Sequence, residues 1–400
     1  MPHASLAWLY SHQVHGIKLG LETMLRLHAA LDLPSASPRY LHIAGTNGKG
    51  SVCAMLAAML DAAGLRTGLY TSPHLVHFRE RIRIGTACIP DEHLAEGLTA
   101  VRAAIEREQI EPTFFEIATA VALRWFHQQR AEWVVLETGL GGRMDATNIV
   151  TPAVSIITPI GLDHTAYLGT TLAEVAAEKA GIIKPGIPVV SAPQPPEAER
   201  VLREIAASRS APITFITAPL AKNFTLSLGG SHQRWNAALA FAALIKAGIR
   251  PDPSAITEAL AHCQWPGRFQ RAEDARLILD GAHNPHAAQQ LAQTWREEFP
   301  GEKATLLLGV LADKDVPGLI APLLPLAARV LCLPVNNPRA LPPAALATLT
   351  GGTPCESLPA ALATARQHPE RILLCGSLFL IGQALTHLHL LPGEQETSTQ

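Results

Sequence analysis

The sequence predicts an α/β protein of two domains, each built on a mostly parallel sheet with helices on both faces. The chain has 400 residues, which is long for a single hydrophobic core. Between residues 41 and 263, short apolar runs typical of buried strands alternate with helical patterns. The alternation starts again at Arg276, after the linker-like segment 264–268 (Gln-Trp-Pro-Gly-Arg). We therefore predict a first domain over 1–264 and a smaller one over 268–400.

The strongest single motif follows the first apolar run, Leu41–Ala44. It consists of Gly45, Thr46, Asn47, Gly48, Lys49, Gly50 and Ser51, and a helical pattern continues from it. Glycines let the backbone turn tightly and direct N–H groups at an anion, a lysine adds positive charge, and a serine hydroxyl can reach phosphate or Mg²⁺. Ile43 and Gly50 depart from the strict phosphate-loop pattern. The motif predicts a P-loop ATPase domain, and a ligand-free turn is the alternative.

The next strand pattern, Arg66–Thr71, ends at Ser72, and helices are predicted near 91–109 and 113–129. In doubly wound sheets, ligands bind where parallel strands end, so Ser72 is predicted to face the ligand. Arg79, Arg81 and Arg83 follow closely. Their spacing suits an anionic substrate or a solvated edge strand, and the pattern does not choose between them.

Two further strands also end in polar side chains. Trp133–Glu137 ends in a carboxylate and leads into a glycine-rich loop, and 153–158 leads to Asp163 and His164. Because these ends meet at the edge where Lys49 lies, Glu137 is expected to hold Mg²⁺ or water. A capping box, Thr171 with Glu174, then predicts a helix that carries Lys179.

Later patterns complete both domains. Strands are predicted at 187–190 and 214–216, with helices near 233–247 and 254–263. The second domain is predicted to be Rossmann-like, with strands at 276–280, 304–309, 329–333 and 371–376 and helices between them. The turn after its first strand contains Asp280 and His283.

Composition narrows the class of protein. The net charge is −2, which gives no indication of a nucleic-acid or membrane surface. The six cysteines form no Cys-x-x-Cys pair, so a reducing compartment is expected. We see neither a signal peptide nor an apolar run long enough to span a bilayer. The expectation is a cytoplasmic protein.

Taken together, the motifs resemble folylpolyglutamate synthase and dihydrofolate synthase, which belong with the Mur ligases. The resemblance covers nearly the whole chain in order, although the segment 218–232 is shorter than the family leads us to expect. The residues that carry it are His-Ile-Ala-Gly-Thr-Asn-Gly-Lys-Gly-Ser (42–51), Thr-Ser-Pro-His-Leu (71–75), Phe-Phe-Glu (114–116), Gly-Leu-Gly-Gly-Arg-Met-Asp-Ala-Thr-Asn (139–148), Asp-His (163–164), Glu-Lys-Ala-Gly-Ile (178–182), Trp-Pro-Gly-Arg (265–268) and Leu-Asp-Gly-Ala-His-Asn-Pro (279–285).

The resemblance implies a ligase that phosphorylates a substrate carboxylate with ATP and then joins it to L-glutamate. Its substrates would be dihydropteroate, reduced folates or both, bound by a monomer, with pterin contacts at 16–21 and 114–116. It implies catalytic roles for Lys49, His164 and a carbamylated Lys179; a lysine that pairs with Glu137 or phosphate is the alternative. The nucleotide would contact 45–51, Asn236, Arg268, Asp280 and His283, and two Mg²⁺ sites would draw on Ser51, Ser72, Glu137, His164 and Lys179.

Two other functions fit parts of the sequence. A Mur-type ligase for a UDP-linked peptide precursor would carry a UDP-binding domain before the phosphate loop, and Gly45 leaves no room for one. A P-loop kinase or nucleotide-gated binding protein would leave Asp280, His283 and the set Glu137, His164 and Lys179 without a role.

Overall fold

The structure is a computed structural model that describes residues 2–15, 20–31, 33, 38–273, 276–391 and 396. It contains one eight-stranded and one six-stranded sheet. The predicted fold class is confirmed, because both sheets are mostly parallel and carry helices on both faces. Within the described part of the chain, no helix has the length and apolar character needed to cross a membrane.

The first sheet is ordered β4-β3-β2-β5-β1-β6-β7-β8, with β3 and β4 antiparallel to their neighbours. The connection from β1 leads to β2 on one side, and the later connection from β5 crosses to β6 on the other side of β1, so a crevice forms at the carboxyl end of β1. The strands are β1 (Arg39–Ala44), β2 (Thr67–Tyr70), β3 (Ile82–Ile84), β4 (Ala87–Cys88), β5 (Trp133–Glu137), β6 (Val154–Ile157), β7 (Val189–Ser191) and β8 (Ile213–Phe215).

Helices cover both faces of this sheet because β1, β5 and β6 are buried throughout much of their length and need apolar partners. One face packs mainly on α3, α9 and α10, and the other on α1, α2, α4 and α5. The helices are α1 (Pro2–Ser11), α2 (Glu22–Ala30), α3 (Lys49–Ala62), α4 (Asp91–Glu108), α5 (Phe114–Gln128), α6 (Thr165–Leu168), α7 (Leu172–Ala180), α8 (Pro196–Ser208), α9 (Ser231–Lys246) and α10 (Pro253–His262).

The second sheet is ordered β13-β12-β11-β14-β10-β9, and only β9 is antiparallel among the pairings described. Its strands are β9 (Gln270–Ala272), β10 (Leu277–Leu279), β11 (Ala304–Leu308), β12 (Ala327–Cys332), β13 (Thr353–Pro354) and β14 (Arg371–Cys375). Its helices are α11 (Pro285–Glu298), α12 (Val316–Ile320), α13 (Pro343–Thr350), α14 (Leu358–Arg366) and α15 (Leu378–His387). Val76, from the loop after β2, is buried in the core of this second unit, so the two units pack together.

Candidate active site

The phosphate loop joins β1 to α3, and two of its glycines are required by geometry. Gly45 has φ of +154°, and a Cβ there would lie 1.8 Å from the Thr158 hydroxyl oxygen. Gly48 has φ of +86° and is the N-cap of α3. The hydroxyl of Thr46 donates to the carbonyl of Gly161 at 2.9 Å, which fixes the loop to the turn after β6. The loop is therefore held in one shape, with the N-terminus of α3 directed at the crevice.

Two lysine amines converge on one carbonyl of this loop. The amine of Lys49 lies 3.2 Å from the carbonyl oxygen of Gly45, and the amine of Lys179 lies 2.8 Å from the same oxygen. Lys179 is only 4% exposed. Burial, together with the nearby charge of Lys49, lowers the pKa of Lys179 to about 7. Among the described residues, neither amine forms an ion pair with a carboxylate.

Glu137 ends β5, close enough to Lys49 for the lysine charge to act on its carboxylate, and is 4% exposed. The backbone N–H of Ser72 donates to its carboxylate at 3.1 Å. Burial raises the pKa of Glu137 to about 7, although the charge of Lys49 acts in the opposite direction. No ion pair to Glu137 occurs in the described portion of the chain. The predicted proximity of Ser72, Glu137 and Lys49 is thus present.

The turn after β6 presents Asp163 and His164. His164 has φ of 52°, and its side chain is 45% exposed at the crevice. Lys314, from the second unit, donates to the Asp163 carboxylate at 3.0 Å. Burial alone would raise the pKa of Asp163, but the charges of His164, His283 and Lys314 together hold it well below its ordinary value. The ion pair between Asp163 and Lys314 therefore joins the two units at the edge of the site.

The second unit contributes the turn after β10. Both carboxylate oxygens of Asp280 accept backbone N–H groups, from Phe269 at 2.8 Å and from Ala282 at 2.9 Å. The His283 ring nitrogen Nδ1 lies 2.8 Å from the carbonyl oxygen of Gly281, and its Nε2 lies 4.0 Å from Asp163. The Asp280 carboxylate thus stabilises its own turn, while the His283 ring is directed towards Asp163 of the first unit.

Asn236 and Arg268 also adjoin the phosphate loop or its cleft. A Cβ at Gly48 would lie 2.9 Å from the Asn236 side-chain oxygen, so this amide packs on the loop. Asn236 donates to Gln233 at 2.9 Å, and Gln233 in turn donates to the hydroxyl of Ser51 at 3.4 Å. Ser51 is 1% exposed, which places its hydroxyl inside this side-chain network.

A cleft runs between the two units. Its walls come from the start of α3, the turn after β2, the end of β5, the linker and the start of α15. The lining residues are Gly50, Thr71, Ser72, Pro73, Leu75, Glu80, Arg83, Glu137, Trp265, Pro266, Arg268 and Leu378. A Cβ at Gly50 would lie 2.7 Å from the indole nitrogen of Trp265, so the linker packs directly on the first turn of α3.

The glycine-rich loop after β5 packs against the end of α7 by direct backbone-to-backbone contact at glycines. A Cβ at Gly181 would lie 2.2 Å from the Cα of Arg143. A Cβ at Gly142 would lie 2.8 Å from the carbonyl oxygen of Lys179. The guanidinium of Arg143 also donates to Glu178 at 2.7 Å. These contacts fix the helix end that presents Lys179.

The three arginines after Ser72 have different environments. Arg81 is fully buried, so a solvated edge strand is the wrong interpretation for this residue. Its guanidinium carbon lies 5.3 Å from the ring centre of Phe114, and its Nε donates to His74 at 2.8 Å. The segment Phe78–Arg81 is a 3₁₀ turn that precedes β3. Only Arg83 of the three lines the cleft.

The predicted pterin contacts are partly internal to the protein. Phe114 is 1% exposed, and Glu116 closes a capping box with Thr113 at 2.8 Å. Phe115 packs on Gly139, where a Cβ would lie 2.6 Å from the ring. Of the predicted segment 16–21, residues 16–19 lie outside the described residues. Phe115 is therefore the aromatic residue of this set that adjoins the glycine-rich loop.

Two site residues escaped the sequence analysis. Lys314 lies in the turn after β11 and not at the strand end itself, and nothing in the sequence indicated that it pairs with Asp163. Asn284 belongs to a quoted motif, yet its contact with Asn47 lies across 237 residues of sequence. Only the packing of the two units brings these groups together.

A phosphate loop that faces a second α/β unit, with a buried carboxylate and two lysines between them, is the arrangement of an ATP-dependent ligase. The Mur ligase middle domain model matches residues 43–192, and the Mur ligase glutamate ligase domain model matches residues 267–378. The chain belongs to the folylpolyglutamate synthase and dihydrofolate synthase family of Mur ligases.

Relatives support this assignment over nearly the full length. The chain is 36% identical to the dihydrofolate synthase/folylpolyglutamate synthase of Bacillus subtilis, over 84% of this chain and 85% of that protein. It matches E. coli FolC in complex with DHPP and ADP with a TM-score of 0.88 at 33% identity, over 96% and 98% of the two chains. The structure of a bifunctional folylpolyglutamate synthase/dihydrofolate synthase with Mn, AMPPNP and L-glutamate bound matches with a TM-score of 0.87 at 33% identity, over 96% of this chain and 98% of that chain.

Proposed function

We propose that this ligase joins L-glutamate to dihydropteroate and also to reduced folates and their polyglutamates, with residues 1–264 and 268–400 as its two domains. The observation that carries the proposal is the convergence of the Lys49 and Lys179 amines on the Gly45 carbonyl, with the buried Glu137 near Lys49 and lining the cleft between the units. Structural relatives bind DHPP with ADP, or AMPPNP with L-glutamate. ATP would phosphorylate the pteroate or glutamate carboxylate, and the amine of L-glutamate would displace phosphate.

Lys49 and the phosphate-loop N–H groups would bind the β- and γ-phosphates. The reaction moves a phosphoryl group and then an acyl group, so the enzyme mainly positions the partners and stabilises charge. Arg268 and His283 would reach the nucleotide from the second unit. Asn236 would contact it from α9, and Asp280, which retains free lone pairs, would accept from the ribose. ATP would thus lie between the units.

The residues present also suit a divalent cation. Glu137 is a buried carboxylate that lacks an ion-pair partner within the described ranges, and a cation would compensate its charge. Ser51, Ser72 and Glu137 would hold one Mg²⁺, and Glu137, His164 and Lys179 a second. When bound, Mg²⁺ supplies positive charge close to the phosphates.

Lys179 would serve as a ligand only after carbamylation. An ammonium repels Mg²⁺, whereas a carbamate carries the negative oxygen that Mg²⁺ prefers. In the reaction, the neutral amine attacks the carbon of CO₂, a nitrogen–carbon bond forms, and one proton leaves to water. Burial and the neighbouring charge of Lys49 both favour the neutral amine. An unmodified lysine that binds phosphate directly is the alternative.

Carbamylation is tested by labelling as well as by activity. Protein equilibrated with ¹³C-bicarbonate should show one carbamate resonance that is lost in Lys179→Ala, and formate or acetate should partly restore turnover in that variant. Lys184→Ala is the matched control, because Lys184 donates to a nearby backbone carbonyl, that of Asn148. A wild-type enzyme that is fully active without a carbamate signal would refute the modification.

The activity is tested by supplying ATP, Mg²⁺ and L-glutamate with dihydropteroate or tetrahydrofolate separately, and by following ADP and products. We expect ADP formation that requires both L-glutamate and a pterin carboxylate, with product from each substrate. Extension of tetrahydrofolate alone would remove the dihydrofolate synthase assignment. ADP formation independent of glutamate would favour the kinase or gated-protein alternative. Because one chain forms the whole cleft, we also propose a monomer, to be tested by light scattering.

A further inference from the structure

We propose that Asn284 is a positioning residue that holds the phosphate loop and the Asp163 turn in register with the second unit. This inference rests on the proposed function, since its purpose is to align the nucleotide with the groups around it. Asn284 lies at the end of the turn after β10 and is the N-cap of α11. It is 2% exposed, which excludes competition from bulk water.

Asn284 uses its whole hydrogen-bonding capacity across three elements. Its amide nitrogen donates to the side-chain oxygen of Asn47 at 3.2 Å and to the carboxylate of Asp163 at 2.9 Å. Its oxygen accepts the backbone N–H of Ala287 at 2.8 Å and the amide of Asn47 at 3.3 Å. An asparagine has two N–H donors and two acceptor lone pairs, so no capacity remains unused.

The pairing between Asn47 and Asn284 is reciprocal, and this fixes how the two side chains are oriented relative to each other. Each amide donates to the other's oxygen, so only one relative orientation of the two side chains satisfies both. Asn47 makes a further bond from its amide to ring nitrogen Nδ1 of His286, at 2.8 Å on the first turn of α11. The phosphate loop is thus attached to the start of α11 by two side chains rather than one.

Asp163 supplies the second attachment. It lies immediately before His164 and is also bound by Lys314 of the second unit. Asn284 therefore links three groups: the tip of the phosphate loop, the turn that carries His164, and the helix that follows His283. A displacement of about 1 Å between reacting groups costs on the order of 100-fold in rate, so loss of this link should reduce turnover.

A purely structural reading is that Asn284 only caps α11. Asn284→Ser separates the two roles, because serine is an equally good N-cap but is too short to bridge to both Asn47 and Asp163. Asn284→Asp is a second variant that also caps well; it has no N–H donor and sets a carboxylate against Asp163. Ser357→Ala, which removes the N-cap of α14 in the same unit, is the matched control for cap loss alone.

Each variant is assayed for kcat and for the KM of ATP at saturating L-glutamate and dihydropteroate, with thermal midpoints measured in parallel. The thermal midpoint of Asn284→Ser should fall, because the partners of the lost amide are left unpaired. Measured well below that midpoint, kcat/KM for ATP should fall about 10-fold or more, a larger loss than Ser357→Ala shows for a comparable lowering of the midpoint, and Asn284→Asp should fall further. In the double variant Asn47→Ala with Asn284→Ser, the fold-loss in kcat/KM for ATP should be smaller than the product of the two single fold-losses, because both substitutions remove the same link.

Normal kcat and KM in Asn284→Ser would overturn the proposal, as would a loss that only follows a lowered thermal midpoint, as expected for Ser357→Ala. ADP affinity, measured by calorimetry without any pterin substrate, keeps this test separate from the proposed reaction. If the wild type binds ADP but makes no glutamate adduct, the proposed function fails. Asn284→Ser would then still be expected to weaken ADP binding, and unchanged affinity would refute the link.

Discussion

The phosphate loop and the Asp280 turn each connect a strand to the helix that follows it, yet they differ in how their polar groups are satisfied. The phosphate loop joins β1, which is parallel to both of its neighbours, to α3, and the Asp280 turn joins β10, which is parallel to β14 and antiparallel to β9, to α11. In the phosphate loop, the hydrogen bonds of the Lys49 amine to other described residues go to the carbonyl oxygens of Gly45 and Thr46 alone, at 3.2 and 3.3 Å. Its positive charge therefore remains available to an anionic ligand.

The Asp280 turn is satisfied from within. Both carboxylate oxygens of Asp280 accept backbone N–H groups, the ring of His283 contacts the carbonyl of Gly281, and Asn284 caps α11. The charge of the Asp280 carboxylate therefore stabilises the backbone of its own turn. The phosphate loop therefore keeps a charge available for the substrate, whereas the Asp280 turn supplies a rigid surface that positions it.

Lys49→Ala should give the largest effect and tests the first half of this comparison. We expect turnover to fall about 100-fold or more, because one preorganised charge at the phosphates is removed. The free energy of unfolding should change by less than about 1 kcal/mol, since the amine has no ion pair to lose among the described residues. Steady-state kinetics and urea unfolding measure the two quantities.

Lys246→Ala, at the exposed end of α9, is the control for removing a lysine charge. It should leave turnover and stability near those of the wild type. Near-normal, glutamate-dependent ADP formation in Lys49→Ala would show that the phosphate loop has been assigned wrongly.

Asp280→Asn tests the second half, and stability should respond more than chemistry. In the variant, an NH₂ group replaces one of the two carboxylate oxygens that accept backbone N–H groups. One N–H group therefore loses its acceptor, which should lower the free energy of unfolding by about 1–3 kcal/mol. Well below the thermal midpoint, kcat should remain within about 10-fold of the wild type, because an amide oxygen can still accept from the ribose. Urea unfolding followed by tryptophan fluorescence reports the loss.

Asp313→Asn, whose exposed carboxylate pairs with Arg339, is the matched control and should change stability by less than about 1 kcal/mol. If Asp280→Asn instead abolished turnover at unchanged stability, the turn would be a charged ligand site like the phosphate loop. The comparison would then fail.

A smaller, pH-dependent difference should arise from the strands themselves. His42 is fully buried in β1, whereas β10 consists of Leu277, Ile278 and Leu279. The Nε2 atom of His42 lies 2.8 Å from the hydroxyl oxygen of Thr147, and its Nδ1 has no hydrogen-bond partner among the residues that the structure describes. Burial, with a contribution from Lys184, lowers the pKa of His42 to about 3.

Because the folded-state pKa lies below the unfolded value, this contribution to stability is complete above about pH 6.5 and is lost as pH falls towards 3. One such group adds at most about 1.4 kcal/mol of destabilisation per pH unit. His42→Gln should cost about 1–3 kcal/mol at pH 7.5 and lose less than the wild type between pH 6.5 and 4.5. Unfolding curves at several pH values measure the slope.

His387→Gln, at the exposed end of α15, is the control and should follow the wild-type slope. Parallel pH profiles for His42→Gln and the wild type would mean that another group carries the acid sensitivity.

Regular elements were predictable from sequence because their signals are local. The predicted strand Trp133–Glu137 agrees with β5, and the predicted helix 91–109 differs from α4 by one residue. Short strands at the sheet edges, such as β4 and β9, were not predicted because two or three residues carry no periodicity. The predicted strand 187–190 is shifted in β7, which begins at Val189.

The site was predictable only where a residue follows its own strand. Glu137, Ser72 and Lys49 meet as expected, since parallel strands share one carboxyl edge. The burial of Arg81 between aromatic rings, and the contact of Asn47 with Asn284, depend on packing between distant segments. Such contacts leave no repeating pattern in the sequence.

The backbone contact between Gly181 and Arg143 limits how this sequence can vary. Any side chain at Gly181 would meet the main chain of the facing loop at 2.2 Å, and main chain cannot rotate aside as a side chain can. In a saturation library, Gly181 should tolerate no other residue, although it is not among the residues proposed to bind nucleotide or pterin. Arg143, whose side chain is 53% exposed, should accept many. Intolerance at Gly181 would reflect the close approach of two backbone segments, and a map of intolerant positions would therefore extend beyond the residues that do the chemistry.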